Sequence, residues 1–123
     1  MVANEKRICD VDVGWPGTAN DSRVWRRSGV KSVWEEQDTF KMAGDSAYPI
    51  STVLITPYRA IETVNQPRKR LFNGRLSGLR TVLTENVYAR WKKRFPCLRE
   101  MRTHLKFGQK IIVACSILHN MAR

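Results

Sequence analysis

Residues 68–95 read "RKRLFNGRLSGLRTVLTENVYARWKKRF", and the spacing of the large apolar side chains here decides what kind of fold the chain builds. Leu76, Leu79, Leu83, Val87 and Trp91 recur at intervals of three and four, the repeat that lines one face of an α-helix. Pro67 suits the first turn, where its missing N–H costs nothing. Pro96 prevents continuation past Phe95, and Gly74 and Gly78 are points at which the run can split into two helices.

Upstream of this helix, "RICDVDVGW" (residues 7–15) alternates with period two. It sets Ile8, Asp10 and Asp12 on the polar side of a strand and Cys9, Val11 and Val13 on the apolar side. "WPGTANDS" breaks the strand, with Pro16 presetting a turn and Gly17 accepting the positive φ of a type II corner. Asp21 or Ser22 is placed to cap a short helix over "SRVWRRSG", ended by Gly29. A polar patch, "EEQDT", leads to a second short strand near "FKMAG"; "STVLITPYR" follows the Tyr-Pro, and "AIETVNQPRKR" is a polar loop. Downstream, "QKIIVACSILHNMAR" (residues 109–123) is apolar on nearly every side and predicts a buried helix packed on a sheet, with His119 and Asn120 suited to its C-terminal end. The order strand, helix, strand, long helix, helix predicts one α/β domain over residues 1–123.

Charge separates along the chain. Residues 1–66 hold 8 Lys/Arg and 9 Asp/Glu, whereas residues 67–123 hold 14 and 2, so the whole formal excess of +11 sits in the second half. A surface of this kind attracts polyanions by counterion release, which points to nucleic acid. The side chains concerned are Arg68, Lys69 and Arg70 in "PRKR" and Arg90, Lys92, Lys93 and Arg94 in "RWKKRF". Trp15, Trp25, Trp34 and Trp91 read as core residues rather than base-stacking platforms, with Trp91 the one to test because basic residues surround it. The apolar run "IIVACSIL" is too short for a membrane span, and "MVANEKRICD" resembles neither a signal nor a transit peptide, so a cytosolic or nuclear location is expected. Cys9, Cys97 and Cys115 are odd in number and set among core-type residues, which predicts buried free thiols.

Two acids stand out. Glu85 has Thr81, Val82, Tyr88 and Ala89 as its helical neighbours, none of them basic, so no intrahelical ion pair accounts for it. A carboxylate covered by another element there needs an arginine or a metal ion. Asp45, in "KMAGDSAYPIS", is either a turn residue, for which Gly-Asp-Ser is good chemistry, or a strand-end ligand. Two hard carboxylates suit Mg²⁺ or Mn²⁺, which retain water and substrate phosphate as further ligands. His104, His119 and the cysteines lack the spacing of a structural zinc site. No nucleophile elbow or Gly-rich phosphate loop is present.

"CDVDVGWPGTANDSRVW", "GDSAYPISTVLITPYR", "LTENVYARWKKRFPCL" and "IIVACSILHN" follow in the order of the motifs of the PIF/Harbinger-type DDE transposases and their domesticated nuclease-like relatives, and the chain resembles that family over nearly its whole length. The resemblance implies an RNase H-like fold, a mixed sheet flanked by helices, in which three acids bind divalent metal, Mg²⁺ or Mn²⁺, for DNA strand cleavage and transfer. By position, Asp45 matches the family's second acid and Glu85 its third. The first lies on a strand upstream of "DVDVGWPG", so the resemblance implies a chain that lacks its first strand and that acid, and that is inactive as a nuclease alone. Asp10 and Asp12 match a later strand and do not replace it, and Asp21 matches a recurrent family position but reads better as a helix cap. The helix departs from the family at Asn86, where a basic residue is usual, and at Trp91-Lys92, where Leu-Lys is usual. The family implies DNA, a nuclear site and often a Myb-like DNA-binding partner. The alternative is a non-catalytic nucleic-acid- or protein-binding remnant in which the basic half persists and the acids do no chemistry.

Overall fold

A computed structural model of the chain describes residues 1–4, 6–37 and 41–122. The chain is mixed α/β, with its residues falling into two compact units. One unit combines Met1–Pro16 with the chain from Thr81 onward, and the other is Gly17–Arg80.

The first unit opens with a hairpin of β1 (Val2–Asn4) and β2 (Arg7–Asp10), antiparallel, with a bulge between Val2 and Ala3. The predicted strand thus ends at Asp10, and its faces are reversed. Ile8 is buried against Val87, Trp91 and Cys115, while Cys9 is exposed. The reversal has a tertiary cause. The carboxamide of Asn120 clasps Ile8 on both backbone sides, accepting from its N–H at 2.9 Å and donating to its carbonyl at 2.8 Å, while His119 Nε2 lies 3.2 Å from the Lys6 carbonyl. These contacts fix β2 on the last helix, with Ile8 as its buried residue. The positive φ falls at Gly14 (95°), not at Gly17, and a side chain at Gly14 would meet the Gln109 amide at 3.3 Å.

The helices of this unit are α4 (Asn86–Arg94) and α5 (Leu105–Met121). Val87 and Trp91 on α4 and Cys115 on α5 form its core with Ile8, and Phe95, Leu98, Ile111 and Ile112 pack around them. Pro96 stops α4 as predicted, and a 3₁₀ turn covers Pro96–Leu98. Helix α5 is buried along one side only: Phe107, Val113, Ile117, Leu118 and Met121 are exposed, so the predicted all-round burial is not found. His119 and Asn120 lie inside its last turn and fasten the strand rather than cap the helix. Two of the three thiols are exposed, and only Cys115 is buried as predicted.

The second unit contains α1 (Asp21–Arg27), α2 (Gly29–Gln37), β3 (Met42–Ala43), β4 (Leu54–Ile55) and α3 (Pro67–Arg80). Asn20, not Asp21 or Ser22, caps α1, its side chain accepting from Arg23 N–H at 2.8 Å. Gly29 starts α2, a helix absent from the reading of "EEQDT", whose Asp38 and Thr39, like Phe40 of the expected second strand, lie outside the described residues. β3 and β4 pair in parallel, Met42 with Leu54 and Ala43 with Ile55. Trp25, Val53 and Leu54 form the core, with Val30, Met42 and Tyr48 against it. Of the other tryptophans, Trp91 is also buried, and Trp15 and Trp34 are half-buried.

Pro67 opens α3 as predicted, but neither Gly74 nor Gly78 interrupts it. The irregularity comes later, as a π-helical turn over Thr81–Glu85. A π turn takes more residues than an α turn, so it shifts the phase of everything after it. Leu76 is buried in one unit and Val87 and Trp91 in the other, while Leu79, which precedes the π turn, is exposed on α3.

Candidate metal and nucleic-acid residues

Asp45 stands two residues beyond the C-terminal end of β3. Gly44 lets the chain pass here: its N–H bonds the Ile55 carbonyl at 2.9 Å, and a Cβ would sit 3.1 Å from Leu54 Cδ1 and 3.3 Å from Tyr48 Cδ2. The Asp45 carboxylate divides its work. Oδ1 accepts from Ala47 N–H at 2.8 Å, an Asx turn, and Oδ2 faces the Arg80 guanidinium at 4.0 Å. Asp45 is thus a turn residue through one oxygen and a loose ion-pair partner of Arg80 through the other.

Tyr48 packs beside this carboxylate. Burial pushes its hydroxyl above the ordinary tyrosine range, the Asp21 and Asp45 carboxylates add to the effect, and Arg80 opposes it. Asp21, released from capping by Asn20, thereby belongs to the same charged neighbourhood. Neither Arg80 nor Tyr48 was singled out in the sequence, because nothing in local spacing links position 80 to position 45.

Glu85 belongs to the other unit and closes the π turn. It is exposed rather than covered, and its carboxylate accepts from the Thr81 hydroxyl at 3.3 Å. Solvent therefore supplies the compensation that a buried carboxylate would need from a cation. Among the described residues, no three His, Cys, Asp or Glu side chains come together in a metal-binding group. Each of the two carboxylates is, taken singly, a hard oxygen donor of the kind Mg²⁺ accepts.

The basic residues divide between the units. In the second unit, Arg68 and Arg70 are exposed in the first turn of α3, and Lys69 is half-buried with its ammonium 5.0 Å from the centre of the Tyr58 ring. Three cations at a helix N-terminus oppose the helix dipole, so helix stability does not explain them. The first-turn N–H groups are largely spoken for: those of Lys69 and Arg70 bond the Gln66 carbonyl at 3.1 and 3.2 Å, and Pro67 has none. In the first unit, Arg90 and Lys93 are exposed on α4, and Lys92 lies 4.3 Å from the centre of the Tyr88 ring. Arg94 is exposed yet donates to the His119 carbonyl at 3.2 Å, which ties it to α5. Trp91 is buried, which removes it as a stacking platform and leaves Tyr88 as the exposed aromatic of that helix.

Against this geometry, a family model described as DDE superfamily endonuclease matches residues 1–120. HARBI1 of Homo sapiens, named as a candidate nuclease, is 30% identical over 129 residues, covering 94% of this chain and 36% of the relative. HARBI1 of Rattus norvegicus gives the same identity and coverage. An ALP1-like protein of Arabidopsis thaliana is 28% identical over 141 residues, covering 98% of this chain and 33% of the relative. The chain spans about a third of the length of these curated relatives. No solved structure matches it significantly.

Proposed function

The chain belongs to the DDE superfamily endonucleases, and from that premise we propose that it forms part of a Harbinger-type, transposase-derived nuclease of RNase H-like fold acting on DNA. Asp45 and Glu85 are the proposed ligands of Mg²⁺ or Mn²⁺, and the basic residues of α3 and α4 bind DNA phosphates. The observation that carries the reading is Asp45. It follows a parallel strand, its Oδ1 is held by Ala47 N–H, and its Oδ2 faces a cation, the Arg80 guanidinium at 4.0 Å.

In such a site the bound ion would polarise the phosphodiester and lower the pKa of attacking water. The chain's own contributions are separate from that chemistry. Ala47 N–H fixes the direction of the Asp45 carboxylate, Gly44 permits the close passage of the strand end, and the exposed arginines and lysines hold the polyanion in register. A nuclear location and a Myb-like DNA-binding partner belong to the same proposal.

A second reading is a DNA- or protein-binding module without metal chemistry. It is favoured by the fact that Arg80 and Ala47 already occupy both oxygens of Asp45, and Thr81 contacts Glu85. Manganese binding followed by electron paramagnetic resonance separates the two. Binding that disappears in both Asp45→Asn and Glu85→Gln supports the metal-dependent nuclease, and its absence from the parent chain supports the binding module.

A further inference from the structure

Tyr58 and Phe72 form an aromatic pair on the surface of the second unit, 41% and 38% exposed, with ring centroids 5.4 Å apart and ring planes at 66°. Their contact buries neither ring, and they stand apart from the core of Trp25, Val53 and Leu54. Tyr58 is nonetheless held firmly. The Asn73 carboxamide accepts from its N–H and donates to its carbonyl, both at 2.9 Å, and Asn73 follows Phe72 directly on α3. Cations surround the pair. Arg68, Phe72 and Arg75 recur at intervals of four and three, which sets Phe72 between two exposed arginines on one face of α3, and Lys69 holds its ammonium over the Tyr58 ring. The nearby acid, Glu62, is already engaged: its Oε2 accepts from Arg59 N–H at 2.9 Å and faces Arg59 Nε at 3.9 Å. The surface therefore combines positive charge with fixed, exposed aromatic rings.

Each half of that combination has its own complement. The cations attract phosphate, and an exposed ring gains by stacking on a flat, polarisable partner. In duplex DNA the base faces are already stacked on one another, so only an unpaired base offers such a partner. From this juxtaposition we propose that Tyr58 and Phe72 form a stacking platform for unpaired bases of single-stranded DNA, whose phosphates are held by Arg68 and Arg75. The proposal rests on the reading of α3 as a DNA-binding surface and adds to it a preference for the unpaired strand. Lys69 does not block the platform: its ammonium lies 5.0 Å from the ring centre on a flexible stem, and it swings from ring to phosphate when a base arrives.

The test is fluorescence-anisotropy binding of labelled oligonucleotides of equal length, an oligothymidylate, its abasic counterpart and a duplex, to the parent chain, Tyr58→Leu, Phe72→Leu and Tyr58→Phe. Far-UV circular dichroism confirms that each variant is folded. Tyr58→Leu and Phe72→Leu should each weaken oligothymidylate binding about five- to fiftyfold and leave abasic and duplex binding within about twofold of the parent. Tyr58→Phe, which keeps the ring, should stay near the parent on all three. Equal losses on the oligothymidylate and the abasic strand would overturn the platform, since the bases would then play no part. Unchanged oligothymidylate binding in both leucine variants would also overturn it and assign the rings to a protein partner, with α3 still a DNA surface. If the parent binds none of the three, the DNA reading of α3 fails and the platform falls with it.

Discussion

Two asparagines do the same work in the two units. Asn120 closes on the N–H and carbonyl of Ile8, and Asn73 on those of Tyr58, with all four bonds between 2.8 and 2.9 Å. A carboxamide offers a donor and an acceptor at the spacing of a peptide group, so it can complete a strand or loop that has no neighbouring strand there. Removing Asn120 leaves two half-buried backbone groups unpaired, and Asn120→Ala should lower stability by about 2 kcal/mol or more, read by denaturant unfolding. Neither clasp could be read from the chain, because Ile8 and Asn120 lie 112 residues apart. Asp45 was legible because Gly-Asp-Ser follows a short apolar pair, a local signal, whereas Arg80 reaches it only through tertiary folding. Thiol reactivity checks another correction: Cys9 and Cys97 should react promptly with a disulfide reagent in the folded chain, and Cys115 only after unfolding. Tyr48 gives a pH signature. Its hydroxyl is held above the ordinary value of 10.0, so the folded chain retains a proton that the unfolded chain releases, and stability falls as pH rises above that value. The difference in unfolding free energy between parent and Tyr48→Phe should stay flat from about pH 7 to 9 and shift in the variant's favour from about pH 10 upward; a flat difference throughout contradicts this.

At the scale of elements, the π turn over Thr81–Glu85 separates what the apolar stripe predicted from what folds. Spacing counts residues on an ideal α-helix; it placed Leu76, Val87 and Trp91 in cores, and it misplaced Leu79, which lies on regular α3 ahead of the π turn and is exposed for a reason separate from it. The extra residue per turn is invisible to that count. Helix α3 shows a second conflict, since Arg68, Lys69 and Arg70 crowd its positive end. Replacing all three with Gln should stabilise the chain slightly, by about 0.3–1 kcal/mol, while weakening DNA binding and reducing its dependence on log salt by about 2 to 3. Unchanged DNA affinity would remove α3 from the proposed interface.

Across the whole molecule, each unit carries its own core, built on Ile8, Val87, Trp91 and Cys115 in one and on Trp25, Val53 and Leu54 in the other. The α/β class was legible because strand-like alternation near the start and helical spacing from Pro67 onward are both local patterns. The family was legible because four motifs occur in order, and the match over residues 1–120 establishes it. The hairpin partner β1, the parallel pairing of β3 with β4 and the one-sided burial of α5 were not, since each depends on which distant surface an element meets. The metal-ligand role of Asp45 and Glu85 is a proposal. Its most direct test is Mn²⁺ binding by electron paramagnetic resonance to the parent chain, Asp45→Asn and Glu85→Gln at equal concentration. Site-specific binding by the parent and its loss in both variants is the predicted result; equal binding by all three would contradict it.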